Sequence, residues 1–580
     1  VFKKIKLILS SDFQLRSSDF GLRTSDFGLR TSVFGLRSSQ FQLRTSDFGL
    51  PTSLFSLLVL ILFSSCADSA QKDIDHLVFR YNEHSNIPTL DPAFARNPQI
   101  IWPTNQLYNG LVQLDDELNI KPDIAKSWEI VDSTCTYTFT LRDDVYFHKN
   151  KVFGRDSTRT VTAQDFVYSF NRLTDENVAS PGSWVMNNVE YYEAENDSTF
   201  KILLKQPFPA FMGLLSMRYC SVVPKEAVEH YGNDFRSNPV GTGPFQFKLW
   251  EENVKLVLRK NHNYFETDEH GTPLPYLEAV AITFLPDKQS EFLQFTQGKL
   301  DLVSGLDNSY KDEVISTTGE LQEKYRSKVN LITAPYLNTE YLGFFMGADT
   351  PEIQSKALRQ AINYGFDRVK MVTYLRNGMG IPATNGFIPK GLPGFDEIAG
   401  YTYQPEKAKE LIAQYKSESG DMTPQITIGT NSQYLDLCEY IQRELEKLGI
   451  DVTIDVVPPS TLRQMKSSGE LDIFRASWIA DYPDAENYLS LFYSENFTPN
   501  GPNYTHFKNT TFDSLYVKAL SISNIEERKL LYTKMDSIII SEAPVVPLFY
   551  DKAVRFVNKK VSGLGINPQN FLVLKRVKKQ

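Results

Sequence analysis

The spacing of apolar and polar residues changes along the chain. Cys135-Thr-Tyr-Thr-Phe-Thr-Leu141 alternates strictly, as a strand with one buried face does. Thr199-Phe-Lys-Ile-Leu-Leu204 predicts a second strand. Between them, Thr162-Ala-Gln-Asp165 has the spacing of a capping box with Asp in place of Glu. It opens a helix over 166–173 that turns Phe166, Val167, Phe170 and Leu173 to one side. From about 283 the helices lengthen. Pro351 suits the first turn of a helix running on through Ala357, Leu358, Ala361 and Ile362, and Pro405 opens another over 406–415. A regular succession follows: strand 426–429, helix 434–448 stopped by Gly449, strand 451–457, short helix 461–467, strand 471–478. That order predicts a parallel sheet with right-handed crossovers. Ligands of open α/β sheets sit outside the carboxyl ends of strands, which singles out the loop Ile479-Ala-Asp-Tyr-Pro-Asp484.

The N-terminal stretch follows other rules. Within residues 1–53 a seven-residue unit repeats, as in Ser18-Asp-Phe-Gly-Leu-Arg-Thr24. Phe and Leu two apart cannot form a coiled-coil seam, and Gly weakens a helix. The segment reads as low complexity with no core to bury and is expected not to be native. Leu54-Phe-Ser-Leu-Leu-Val-Leu-Ile-Leu-Phe63 is too short to span a bilayer but has the length of a signal-peptide core. Ser64-Ser65-Cys66 follows. Residues 54–66 thus resemble a signal peptide with a bacterial lipobox, in which Cys66 carries the lipid; Phe63 stands where that motif usually has Leu.

Composition narrows the function. The 580 residues are 41% hydrophobic and 23% charged, as in a globular protein of several domain-sized units. Lys+Arg 61 against Asp+Glu 70 gives a net charge of -9, which argues against a nucleic-acid binder. Cys135, Cys220 and Cys438 remain beyond Cys66, too few for a disulfide scaffold and most simply read as buried thiols. No His-Glu-x-x-His or Cys-x-x-Cys marks a metal site, and no Gly-x-Ser-x-Gly or Walker loop is present. Neither an enzyme nor a cofactor is expected. The aromatic load, 39 Phe, 29 Tyr and 5 Trp, suits a large core with some residues left to line a cleft.

Several segments in order resemble the family-five solute-binding proteins of ABC importers, the peptide- and nickel-binding group. They include Thr89-Leu-Asp-Pro-Ala93, Leu107-Tyr-Asn-Gly-Leu111, Pro122-Asp-Ile-Ala-Lys-Ser-Trp-Glu129, Pro239-Val-Gly-Thr-Gly-Pro-Phe245, Arg359-Gln-Ala-Ile-Asn363, Asp481-Tyr-Pro-Asp484 and Ala543-Pro-Val-Val-Pro-Leu548. The resemblance spans roughly 77–575. It implies an α/β, two-lobe periplasmic-binding-protein fold with an extra subdomain in the N-terminal lobe and a hinge between lobes. Lobe one would take 77–282 plus 540–580, with the subdomain inserted at about 113–221, and lobe two 283–539.

The same resemblance implies a lipid-anchored, monomeric receptor of the periplasm or cell envelope. It would capture short peptides and deliver them to a permease driven by a partner ATPase. A non-peptide solute such as a metal chelate or sugar is the alternative on the same fold. An envelope chaperone or secreted hydrolase is the alternative of another class. In the oligopeptide binders an Asp in a Trp-x-Ala-Asp-Tyr stretch holds the peptide ammonium. Asp481 matches it here, with Trp478 and Tyr482 beside it, and Arg475 stands where an Arg can meet a peptide carboxylate.

Overall fold

The computed structural model describes residues 76–131, 135–307, 309–392, 395 and 398–580. The seven-residue repeats, the apolar run and Cys66 lie outside the described residues.

Val78–Glu83 begins the first sheet by pairing in parallel with Ala279–Phe284. Lys255–Lys260 and Phe245–Glu251 complete it, both antiparallel. The alternating segment of the sequence forms Thr136–Leu141. It lies in a separate antiparallel sheet between Ala125–Val131 and Thr199–Leu204, with Val189–Asn196 at the far edge. The helix Ala163–Thr174 packs on that sheet. Asp165 accepts the Thr162 backbone N–H at 2.9 Å, as the capping-box spacing predicts. Phe166, Phe170 and Leu173 are buried and Val167 half-buried.

The second sheet is larger. Its order is Leu302–Ser304, Val545–Asn558, Val329–Phe344, Ile473–Ile479, Gln425–Thr430 and Asp451–Val456, with Ile381–Pro382 paired to Val545–Asn558. Gln425–Thr430 runs parallel to both Asp451–Val456 and Ile473–Ile479. The helices Leu435–Glu446 and Pro459–Ser468 supply the predicted crossovers. Gly469 ends the second of these in the left-handed region at φ +72, and a Cβ there would meet the Phe345 ring at 2.5 Å. Both backbone and space therefore require glycine. Alternate residues of each strand feed opposite faces. Tyr341, Phe474 and Ala476 join one core, and Leu342, Ile473 and Leu548 join the other.

Three features depart from the pattern. The helix expected from Pro351 to Ile362 is two helices, Pro351–Gln354 and Lys356–Tyr364. Ser355 between them is extended at ψ 109, and its hydroxyl accepts the Leu358 N–H as an N-cap. The long strands Val329–Phe344 and Val545–Asn558 carry no clean alternation. And Val545–Asn558, within the tail expected to return to lobe one, pairs with Val329–Phe344 inside the second sheet, while Val557 and the residues from Val561 onward join the core of the first lobe. Cys135, Cys220 and Cys438 are free thiols, the last two buried.

The returning segment is fastened by one side chain. Arg555, 0% exposed, donates to the Gly565 carbonyl at 2.7 Å, to the Asn570 carbonyl and Oδ1, and to the Phe571 carbonyl. Trp102 Nε1 donates to the Asn570 carbonyl and Gln106 to the Leu572 carbonyl. The Leu337 N–H reaches the Pro568 carbonyl at 2.8 Å. One short stretch thus bonds to both lobes. Close by, Lys579 pairs with buried Asp301, which also accepts the Arg80 backbone N–H. Arg555→Leu would leave several buried carbonyls without donors, and the expected cost is about 3–5 kcal/mol. The urea midpoint should fall and amide exchange over 565–572 should quicken. Wild-type exchange in the variant would show that the guanidinium does not hold the segment.

Candidate functional site

The loop after Ile473–Ile479 is built around one amide and two acids. Asn487 Oδ1 accepts the Trp478 indole N–H at 2.8 Å and the Asp481 backbone N–H at 3.3 Å. Asp484 is buried, accepting from Arg528 at 2.9 Å, from the Tyr532 hydroxyl at 2.7 Å and from the Glu486 N–H at 3.0 Å. Glu486 accepts the hydroxyls of Tyr482 and Tyr516. Burial pushes the Glu486 carboxyl up to about 7, against those two donors. These bonds tie the loop to the helices Glu486–Leu489, Thr510–Leu520 and Ile525–Glu542.

Asp481 differs from both neighbouring acids. Its side chain is exposed and forms no ion pair among the described residues. The protein packed around it still strips enough hydration to push its carboxyl up to about 6, against a hydrogen bond from Asn487. Burial raises the hydroxyl of Tyr219, from the other lobe, and the nearby Asp481 charge raises it further. Gln569 of the returning segment donates to the Asp481 carbonyl at 3.2 Å. The structure therefore leaves one carboxylate available where the lobes face each other.

The other three sequence candidates fare differently. Trp478 is half-buried, its indole N–H already used by Asn487. Tyr482 is 6% exposed and packs among residues of the first lobe, with ring centroids 6.2 Å from Phe208 and 6.5 Å from Trp184. A Cβ at Gly213 would sit 3.3 Å from both Tyr482 Cβ and Pro483 Cδ, so the lobes touch closely here. Arg475 is buried in its strand and bonded to Glu340, with its guanidinium 3.2 Å from the centroid of the Tyr434 ring. Glu340 also accepts from Asn338 at 3.1 Å. A buried carboxylate needs a cation, and Glu340 holds this one.

An arginine that the sequence did not single out has no such partner. Arg376 follows the helix Arg368–Leu375, half-buried, and its side chain makes no hydrogen bond or ion pair among the described residues. Its guanidinium lies 5.3 Å from the Phe549 ring centroid and beside the Asp551 carboxyl. It lines a cavity of about 220 Å³ together with Tyr336 and Asp551. Tyr488, near both Asp481 and Tyr336, links this cavity to the Asp481 loop. The only local signal was the lack of any acid one helical turn from Arg376 in either direction. The arrangement sets the Asp481 carboxylate apart from a cavity that holds both Arg376 and Asp551.

Comparison with known proteins bears on the family and the fold. Residues 119–500 match the family described as bacterial extracellular solute-binding proteins, family 5 middle. Over 490 residues the chain is 28% identical to heme-binding protein A of Haemophilus influenzae, covering 81% of this chain and 86% of that protein. It is 25% identical over 490 residues to the glutathione-binding protein GsiB of Salmonella typhi, covering 83% and 91%. Helicobacter pylori DppA, an ABC transporter-associated periplasmic binding protein solved in complex with the peptide STSA, aligns with a TM-score of 0.70 at 26% identity. That alignment covers 87% of this chain and 98% of the other.

The Arg475–Glu340 pair gives a test of role. Arg475→Met strands a buried carboxylate, and the expected loss is about 3–5 kcal/mol of stability. Adding Glu340→Met should restore most of it. Urea unfolding of both variants measures this; an Arg475→Met protein of unchanged stability would return the residue to the list of ligand contacts.

Proposed function

The chain belongs to the bacterial extracellular solute-binding proteins of family five, and on that premise we propose that it captures short peptides between its two α/β lobes. Members of this family deliver their ligands to ABC permeases and are transport proteins, not enzymes. No helix among the described residues is long and apolar enough to cross a membrane. The lipid on Cys66 is the anchor in this reading, and the receptor acts as a monomer in the periplasm or cell envelope.

The observation that carries the peptide reading is the unpaired Asp481 carboxylate facing the other lobe. Free termini are the charges that every peptide shares. Asp481 suits the ammonium, and Arg376, unpaired at the second cavity, suits the carboxylate. Pairing both gives affinity without dependence on side chains, which wet pockets can then accommodate. One relative binds the peptide STSA, and two others are named for heme and glutathione. Glutathione is itself a short peptide with a free ammonium. Heme carries anionic propionates, which the unpaired Asp481 carboxylate opposes. Closure follows from tighter binding to the closed arrangement of the lobes than to the open one.

Asp481→Ala should weaken binding of a free tripeptide by about 2–5 kcal/mol in calorimetry, and N-acetylation of the peptide should cost the wild type a similar amount. Because the Asp481 carboxyl titrates near 6 in the ligand-free protein, it must shed a proton below that pH before it can pair with an ammonium. Affinity should be full above pH 6 and fall about tenfold per unit below it, and the dependence should vanish in Asp481→Asn. Equal affinity for free and acetylated peptides would reject the ammonium role. Arg376→Met should likewise erase discrimination between a peptide acid and its C-terminal amide; retained discrimination would place the carboxylate elsewhere.

A further inference from the structure

A second cavity, of about 270 Å³, lies where Val78–Glu83 of the first lobe meets Lys288–Thr296 of the second. Tyr81, Glu83, His84, Trp102, Lys288 and Glu291 line it. It shares Gly305 and Asn570 with the cavity of Arg376, so the two adjoin.

Its charges do not balance. Glu83 and Glu291 face the space, and Asp307 lies close enough to act on His84, Lys288 and Glu291. Lys288 answers them, 3.7 Å from Glu291. His84 contacts Lys288 and lies 3.6 Å from Glu291, but burial and the lysine push its pKa down to about 4, so it stays neutral. Glu83 has no hydrogen bond and no ion pair among the described residues.

Two deeply buried polar atoms also lack a hydrogen bond, although one of them, Glu291 Oε2, faces Lys288. Tyr81 is 1% exposed and its hydroxyl has no hydrogen bond; Glu291 is 2% exposed and its Oε2 has none. Such groups are costly unless something supplies the missing partner. The wall beside them is aromatic: Trp102 meets Tyr81 edge-on, with centroids 5.9 Å apart. Among the described residues no three His, Cys, Asp or Glu are placed to hold a metal ion.

We propose that this cavity is a subsite for a cationic side chain of the bound ligand, the guanidinium or ammonium of an arginine or lysine residue. The proposal rests on the peptide reading above and specifies which peptides bind well. The cation's N–H groups meet the Glu83 carboxylate, Glu291 Oε2 and the Tyr81 hydroxyl, and the indole of Trp102 flanks its face. Burial, and then the repulsion between the two acids, pushes Glu83 up to about 8 and burial holds Glu291 at about 7. Entry of a cation restores the ionised form, so binding near pH 7 releases a proton.

The test uses trialanine peptides carrying arginine at each position in turn, beside the same peptides with citrulline, which keeps the shape and removes the charge. Calorimetry in phosphate and in Tris reads affinity and proton release together. At one position arginine should bind about tenfold or more tighter than citrulline and release a proton that citrulline does not. Glu83→Gln, with its melting temperature checked against wild type, should bring that ratio to within about twofold. Equal binding of arginine and citrulline at all three positions would overturn the subsite and leave the peptide reading standing. Failure of every peptide to bind would overturn both.

Discussion

The guanidinium of Arg555 is the constraint on which the rest of the cleft depends. It sits inside the second sheet and donates to carbonyls of a segment that belongs to the first lobe's core. Burial lowers its pKa to about 10, so it stays charged at neutral pH. A fixed cation among carbonyls works only if the carbonyls cannot leave, and Trp102 and Leu337 hold them from either side. Asn570, so placed, walls both cavities, and Gln569 beside it steadies the Asp481 loop.

The acids of the cleft divide by whether the protein satisfies them. Asp484, Glu340 and Glu486 are buried and each has donors that make the charge or the proton tolerable. Asp481, Asp551 and Glu83 have no cation bonded to them among the described residues. Satisfying the first three fixes the shape of the loop. In the proposed function, leaving the others open keeps binding energy for a ligand. The motif Asp481-Tyr-Pro-Asp484 contains one of each kind only three residues apart.

Much of the fold was legible because its causes are local. The capping box at Thr162, the alternation at 136–141 and the Gly449 stop each depend on a few adjacent residues. Val329–Phe344 and Val545–Asn558 were not legible, since central strands packed on both faces show no alternation, and bulges near Pro335 and Glu340 break what register there is. At the candidate site, topology directed attention to the loop 479–484 at a strand's carboxyl end, and the resemblance of Trp478-Ile-Ala-Asp-Tyr482 pointed to Asp481 within it. Arg475 and Arg376 could not be told apart by sequence. Their difference is Glu340, which lies 135 residues before Arg475 in the chain and beside it in the sheet.

The position of Val545–Asn558 bears on when the second lobe can close. The strand lies between Leu302–Ser304 and Val329–Phe344, yet follows every other strand of its sheet in chain order. A chain emerging from its N-terminus cannot close the second lobe until this strand is available, and cannot fasten the lobes until the segment after it arrives. The second sheet must therefore wait for its last strand, whereas the sheets built from residues 78–284 need nothing from it. The final stretch of the chain thus decides when the second lobe closes.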